Sequence, residues 1–379
     1  MSRAVIRGAV EVSYTRRSAA STTEWLARAF NELVAEQQLD PARIDGLGVA
    51  SFTLRPDRCI DVAWRLGLSL DWLMDDSNGG VSGINLLQHA VAAIESGRAR
   101  NILLLAADVF QANDFQEMAA NYNRTTQQLL RPLEIANPNS LFALLTQRHM
   151  ARHGLTRRDY GELVIAQRRH ASRNPQATYR TEMSMDDYLN APQVSSPLCI
   201  YDCVPVVAGA NAILISHEDE THKGGSRILV RSMGSRHNFD GDGDGLATGL
   251  SEIAGRLYQD AGLQSGDIDV VSVYDDYPVM SLIQLQDLGF APPNAIQAFV
   301  RETVPSGRFA FNTSGGQLSV GQAGAAGGMH GLVEVIRQLG GRCGERQLSQ
   351  ACTALVSGYG MVQYRYGMCA NAMILESMD

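Results

Sequence analysis

The sequence predicts an α/β fold built from two similar halves, and three observations lead to that prediction. Helical and strand patterns alternate along the chain, which is typical of strands packed between layers of helices. The N-terminal segment TEWLARAFNELVAEQQLDPARIDGLGVAS reappears from Gly249 as GLSEIAGRLYQDAGLQSGDIDVVSVY. Each copy then leads to a glycine-rich turn, a largely apolar helix and an apolar strand. Such a duplication predicts two equivalent layered units packed together.

The two copies align without a gap, and each predicts an amphipathic helix, a short turn and a buried strand. Five positions match in type along the alignment, namely Leu26, Leu33, Leu39, Ile44 and Asp45 opposite Leu250, Leu257, Leu263, Ile268 and Asp269. We therefore divide the chain into an N-terminal half, residues 1–225, and a C-terminal half, residues 226–379.

The N-terminal half contains an additional stretch at about residues 109–204. This stretch is polar, rich in Asn, Gln and Arg, and interrupted by Pro132, Pro138 and Pro175. We interpret it as a helical insertion over the surface that returns to a buried strand in SPLCIYDCVPVVAGANAILIS. An insertion of this kind usually covers a site or an interface.

The turn after the first copy, DSNGGVSGINLLQHAVAAIESG, runs from Asp76 to Gly97. The adjacent Gly79 and Gly80 open an apolar helix, and the free N–H groups of a helix N-terminus favour a developing anion. No Cys stands at this turn, and Ser82 has no neighbouring base in the motif, so we interpret Ser82 as a capping or packing residue. Glycine at position 80 is expected to leave room and free N–H groups for a carbonyl oxygen.

Composition and net charge limit the classes of function that this chain can have. Of 379 residues, 45% are hydrophobic and 19% charged, and the net charge is −8, which argues against nucleic-acid binding. The low fraction of charged residues predicts an oligomer, and we expect a symmetric homodimer.

No apolar run reaches the roughly 20 residues of a membrane span, and nothing resembles a signal peptide, so we expect a cytoplasmic protein without a membrane partner. The six cysteines have no metal-ligand spacing, so we expect reduced thiols and no metal site.

Several motifs appear in an order that resembles the thiolase superfamily, in particular its sterol-carrier-protein-type branch. The motifs are the stretch from ARHGLTRRDYGELVIAQRRHASRNPQATYR to the small-residue strand AGANAILIS, then VYDDYPVMSLIQLQDLGF, NTSGGQLSVGQAGAAGG and ALVSGYG. The resemblance covers nearly the whole chain. It implies a thiolase-like five-layered α-β-α-β-α fold from two duplicated halves, and an acyl-CoA thioester as substrate, with coenzyme A carried by the substrate and no other cofactor.

The resemblance also implies positions for the thiolase chemistry, and this sequence departs from the family at each of them. The nucleophilic Cys is replaced by Gly80, and the activating His by Gln322. The Asn that binds an oxyanion through water is replaced by Tyr274, and the second Cys falls at about Val356. Covalent acyl transfer through this turn is therefore not expected.

Three residues are candidates for acid–base chemistry. Tyr274 and Asp276 belong to YDDYP, and Tyr359 lies in SGYGM, where the family supplies an oxyanion donor. The resemblance extends to steroid side-chain aldolases that lack the Cys and use tyrosines, but each phenol could also simply pack. The expected substrate-binding residues are Gly79, Gly80, Asn312, Gly315, Gly316, Gln322, His330 and Gly358. Of these, His330 could equally be a packing residue on an apolar helix.

Three functions remain open. The leading hypothesis is non-covalent aldol or retro-aldol cleavage of a β-hydroxyacyl-CoA, which needs a base and an enolate site but no acyl-enzyme. The second is a catalytically silent subunit that pairs with an active thiolase or with an OB-fold, zinc-ribbon partner protein. The third is an ordinary thiolase or acyltransferase of the acetyl-CoA acetyltransferase type.

Overall fold

The computed structural model describes residues 3–110, 114–135, 137–222, 225–239, 243–363 and 366–378. The strands are β1 (Ala4–Thr15), β2 (Gly46–Ala50), β3 (Trp72–Asp76), β4 (Asn101–Asp108), β5 (Gln193–Ser195), β6 (Leu198–Cys199), β7 (Ala208–His217), β8 (Ile228–His237), β9 (Val270–Ser272), β10 (Thr353–Gln363) and β11 (Tyr366–Ser377). The helices are α1 (Thr22–Gln37), α2 (Cys59–Arg65), α3 (Ser82–Glu95), α4 (Asp114–Ala120), α5 (Pro138–His153), α6 (Arg157–Ser172), α7 (Met185–Leu189), α8 (Leu250–Ala261), α9 (Pro278–Asp287), α10 (Ile296–Ala298), α11 (Gly316–Val320) and α12 (Gly327–Leu339). Within the described ranges no helix is long and apolar enough to cross a membrane.

The main sheet shows the duplication in its strand order. That order is β3-β2-β4-β7-β1-β8-β11-β10-β9, and only two residue pairs join β1 to β8. In the first half, β2 pairs in parallel with β4, and antiparallel pairings join β4 to β7 and β7 to β1. In the second half, β9 pairs in parallel with β10, and antiparallel pairings join β10 to β11 and β11 to β8. In the place of β3, the second half has a parallel bridge between Phe311 and Val271. The two halves therefore share one topology.

Alternating side chains of the sheet face different helix layers. On β4, Ile102 and Leu104 pack in the central core with α3 and α12, whereas Leu103 and Leu105 pack outward with α1. Helix α8 packs on the outer face of the second half of the sheet with Val271. This alternation follows from the two-residue period of a strand, and it produces outer helices, strands, central helices, strands and outer helices.

The matched aspartates of the repeat perform the same task in both halves. The Asp45 carboxylate accepts hydrogen bonds from the N–H groups of Arg100 and Asn101 at the start of β4. The Asp269 carboxylate accepts them from Cys352 and Thr353 at the start of β10. Each aspartate therefore ties the end of its repeat unit to the next strand of its half.

The turn before α11 is built around a buried carboxylate, Asp275. Its oxygens accept hydrogen bonds from the N–H of Gln317, at 2.9 Å, and from the side chain of Gln167. Gly316 has φ +62°, and a Cβ at this position would lie 2.0 Å from Asp275 Oδ2. Only glycine allows the chain to approach the carboxylate this closely.

We expect Gly316→Ala to lower the free energy of unfolding by about 2 kcal/mol or more, because the added methyl group displaces Asp275 and the positive φ disfavours alanine. Chemical denaturation measures this change. Gly255→Ala is the matched control, since Gly255 lies inside α8 with open space around it, and alanine should stabilise that helix by roughly 0.5–1 kcal/mol. Equal stability changes in the two variants would contradict this account.

Candidate active site

A pocket of about 780 Å³, counted out to its open mouth, lies where the N-terminal turn of α3 meets the end of β10 and the segment after β9. The inserted stretch forms its outer wall through α4, α5 and the segment between them. Most of the lining is apolar and aromatic, including Phe52, Phe115, Met118, Leu141, Phe142 and Met280. Among the described lining residues Asp276 carries the one carboxylate, and there is no Cys, His, Lys or Arg. The described part of the chain contains no cluster of three or more His, Cys, Asp or Glu suited to a metal ion.

The Gly80 turn forms the floor of this pocket, but it does not leave the room that the sequence suggested. A Cβ at Gly80 would lie 2.1 Å from the carbonyl oxygen of Tyr359 and 2.6 Å from the ring of Tyr274. The expected space is therefore filled by the Tyr274 ring and by the backbone of β10. Ser82 is buried and donates a hydrogen bond to Asp76, in keeping with a packing role.

Tyr274, Asp276 and Gln322 form one hydrogen-bonded chain at the pocket wall. The side-chain N–H of Gln322 donates to the Tyr274 hydroxyl at 3.3 Å, and that hydroxyl donates to Asp276 Oδ2 at 3.0 Å. Gln322 is held by the N–H of Gly324, which donates to its amide oxygen at 2.8 Å. Strand β9 ends at Ser272, so Tyr274 stands two residues beyond the strand, where its ring packs against the Gly80 turn.

Burial shifts the pKa values of the two ionisable groups in this hydrogen-bonded chain, Asp276 and Tyr274. Burial raises the pKa of its carboxyl group to about 7, and the neighbouring Asp275 adds to the rise. Its second oxygen, Oδ1, is buried without a hydrogen-bond partner among the described residues. Burial and the Asp276 carboxylate raise the pKa of the Tyr274 phenol well above its ordinary value, so this phenol stays protonated. The pair can accept one proton at Asp276 and hold another on Tyr274.

Tyr359 also lines the pocket, but its hydroxyl has a structural contact. The backbone N–H of Gly367 on β11 donates to that hydroxyl, and a Cβ at Gly367 would overlap the Tyr359 ring. The side chain thus packs along the β10–β11 hairpin while its backbone carbonyl contacts the Gly80 turn.

Of the substrate-binding candidates, Gly79, Gly80 and Gln322 line the pocket, whereas five others lie outside it: Asn312, Gly315, Gly316, His330 and Gly358. The Asn312 side chain bonds the N–H and C=O of Val273, which extends the edge of β9. Gly358 packs against the carbonyl oxygen of Gly80 from the other side of the turn.

His330 is enclosed in a buried polar cluster away from the pocket. Its ring nitrogens contact the Glu11 carboxylate and the Ser314 hydroxyl, the latter at 2.8 Å. Burial lowers the pKa of His330, but the Glu11 carboxylate outweighs that effect, so the pKa is raised. The histidine pairs with Glu11 across the core instead of facing a substrate.

Sequence reasoning missed two residues that shape the pocket. The buried Asp108 accepts hydrogen bonds from the N–H groups of Phe52 and Ala325, and so holds two walls of the pocket together. Tyr122, from the inserted stretch, points its hydroxyl at the weak acceptor Met361 Sδ at 3.5 Å. The end of a buried strand could have signalled Asp108, whereas Tyr122 sits in a stretch without a clear pattern.

Comparison with known proteins places this geometry in context. Residues 235–376 match the family model described as "Thiolase C-terminal domain-like". The chain is similar to 17-hydroxy-3-oxo-4-pregnene-20-carboxyl-CoA lyase of Mycobacterium tuberculosis, with 27% identity over 89% of this chain and 92% of that protein. It is also similar to the steroid side-chain-cleaving aldolase of Thermomonospora curvata, with 26% identity over 89% and 90%.

A solved structure shows the same fold. The "Ltp2-ChsH2(DUF35) aldolase" superposes with a TM-score of 0.80 at 22% identity, and the match covers 99% of this chain and 98% of that one. This similarity confirms the predicted thiolase-like α/β fold.

We expect Gly80→Ala and Gly80→Cys to destabilise the protein by about 3 kcal/mol or more, because the new Cβ would overlap the Tyr359 carbonyl oxygen, which is backbone and cannot rotate away. Thermal unfolding measures the loss. Gly266→Ala, at a glycine with open space around it, should change the melting temperature little. A Gly80→Cys variant as stable as the original would show that the turn does tolerate a side chain.

Proposed function

The chain belongs to the thiolase superfamily, and from this premise we propose that it is a retro-aldol lyase that cleaves a β-hydroxyacyl-CoA without an acyl-enzyme. The observation that carries the proposal is the buried, unpartnered Oδ1 of Asp276 at the wall of an apolar pocket. A carboxylate oxygen in that position can accept the proton of a substrate hydroxyl. The two relatives named as a lyase and an aldolase support the same reaction class.

In the proposed reaction the ionised Asp276 takes the proton from the β-hydroxyl of the substrate. The bond between the α and β carbons breaks, the β carbon becomes a ketone or aldehyde, and the electron pair passes to the thioester as an enolate. The protonated Tyr274 then delivers a proton to the α carbon and recovers one from Asp276 through their 3.0 Å hydrogen bond. Protons and electrons balance without an oxidant or a metal.

The thioester oxygen would lie against the N-terminal turn of α3. Gly79 and Gly80 line the pocket there, and the dipole of a 14-residue helix favours the negative charge of an enolate. Gly358, which we expected among the substrate-binding residues, packs behind the turn, and Gly360 is the β10 glycine that lines the pocket. We therefore assign the oxyanion position to the face shared by Gly80 and Gly360.

We further propose that the acyl group is bulky and apolar. The aromatic and aliphatic lining favours an apolar group, and the relatives are named for steroid substrates. The homodimer and the OB-fold, zinc-ribbon partner remain parts of the proposal, and the DUF35 component named with the structural neighbour supports such a partner.

Tyr274→Phe should reduce turnover by about 10²-fold or more with the fold intact, because the ring still packs while the proton donor is lost. The assay measures release of the shortened acyl-CoA from a 17-hydroxy steroid carboxyl-CoA, with and without a DUF35 partner. Tyr258→Phe is the matched control, since it removes a half-buried hydroxyl bonded to Leu288 outside the pocket, and should leave turnover within about twofold.

Other results would point elsewhere. Equal turnover by the original protein and by Tyr274→Phe/Tyr359→Phe would contradict the assignment of tyrosines. An acyl adduct on a cysteine, found by mass spectrometry, would favour acyl transfer. Absence of turnover with and without the partner would favour a silent subunit.

The pH dependence of kcat/KM should follow the ionisation of the Asp276 carboxyl group. Because the ionised carboxylate acts as base, kcat/KM is expected to rise through an apparent pKa of about 7. The folded pKa exceeds the unfolded value of about 3.9, so this group makes stability fall as pH rises from about 4 to 7. Asp276→Asn should abolish the rise of kcat/KM with pH and reduce this loss of stability. Asp287→Asn is the control, because it removes a carboxyl group whose pKa is also raised to about 7 but which lies outside the pocket. If this variant lost the rise of kcat/KM with pH, the assignment would be contradicted.

A further inference from the structure

A second cleft lies at the far end of α12 from the candidate active site. It is formed by the segment after α6, residues 173–180, and by the end of α12 with the following turn, residues 337–346, and encloses about 820 Å³ of space counted to its mouth. It shares no lining residue with the first pocket. The 13 residues of α12 span about 20 Å from the Gly80 turn to this end. The cleft is therefore a separate feature of the molecule.

Five arginines line the cleft, against a single lining carboxylate, Glu345; they are Arg173, Arg180, Arg337, Arg342 and Arg346. This concentration of positive charge stands out in a chain of net charge −8. Two carboxylates that do not line the cleft, Glu36 and Glu334, offset part of this charge.

The arginines fall into an anchored set and an open set. Arg346 bonds the buried Glu334 at 2.9 Å, while Arg342 and Arg337 both pair with Glu36, at 2.9 Å and 3.6 Å. Such bonds fix the positions of these guanidinium groups in advance. Arg173 and Arg180 are exposed, and their guanidinium groups have no hydrogen bond or ion pair with any described residue. The cleft thus combines preorganised charge with two arginines that are available to close on a ligand.

The geometry points to a binding site for a diphosphate group. Guanidinium forks match phosphate oxygens in pairs, and two open arginines beside three anchored ones suit a compact anion with more than one charge. No aromatic side chain lines the cleft within the described residues, so a nucleobase would find no stacking surface. The other polar lining residues, Asn174 and Gln176, donate their side-chain amides to backbone carbonyl oxygens of Ser314 and Glu11, so recognition of an anion rests on the arginines. This site is independent of the reaction proposed above.

Isothermal titration with inorganic pyrophosphate on the full chain tests the proposal. We expect saturable binding that weakens with added salt, and an Arg173→Ala/Arg180→Ala variant that binds at least about tenfold more weakly. Arg65→Ala/Arg256→Ala is the matched control, because it removes the same charge from two exposed sites outside the cleft, and it should bind as the original protein does. Absence of saturable binding, or equal weakening in both variants, would overturn the proposal.

Titration with ADP distinguishes the source of the diphosphate. Binding no tighter than that of pyrophosphate assigns the site to a diphosphate alone, and tighter binding assigns it to the diphosphate of a nucleotide. Acyl-CoA turnover should be unchanged in Arg173→Ala/Arg180→Ala, so a failure of the lyase proposal leaves this result interpretable.

Discussion

Glycine backbones approach one another closely at the centre of the molecule, and this contact allows the two halves of the fold to meet. The turn at Gly80, the start of α12 at Gly328 and strand β10 at Gly358 and Gly360 meet there. A Cβ at Gly328 would lie 2.5 Å from the Gly79 carbonyl oxygen, and one at Gly358 would lie 2.6 Å from that of Gly80. Side chains on these residues would separate the two halves of the fold. Because the halves do meet, the N-terminus of α3 from one half faces the loop after β9 from the other, and the pocket forms between them.

That contact also determines what the pocket contains. Since no side chain fits at Gly80, the Tyr274 ring packs directly against the turn, and its hydroxyl is directed to Asp276. Enclosure by aromatic walls removes water from the Asp276 carboxylate, which raises its pKa toward neutrality. The absence of a side chain at position 80 and the hydrogen bond between Tyr274 and Asp276 are therefore two consequences of one packing arrangement. A carboxylate with an enclosed, unpartnered oxygen is costly to fold, and such a cost is typical of a site that exchanges protons.

The inserted stretch supplies the outer, apolar wall of the pocket. Tyr277 from the second half stacks on Phe142 of α5 at 4.3 Å and donates to Asn139 at 2.7 Å, which fixes the insertion against the duplicated core. Asp108 ties the Phe52 and Ala325 loops on the other side. The Tyr274–Asp276 pair thus comes from the core, whereas much of the apolar lining of the pocket comes from the insertion.

The duplicated α/β architecture could be predicted from the sequence, because hydrophobic periodicity and a gapless repeat are local patterns that persist in the folded chain. The sequence also located the Gly80 turn and the YDDYP segment, which the structure brings together at the pocket. Which of the candidates face the pocket depends on the tertiary structure. His330 pairs with Glu11, 319 residues away along the chain, and Asn312 completes the edge of β9, since buried polar groups must find partners wherever the fold provides them. The room expected at Gly80 was filled by a ring and a carbonyl group from distant segments, and side-chain packing of this kind leaves no periodic signal in a sequence.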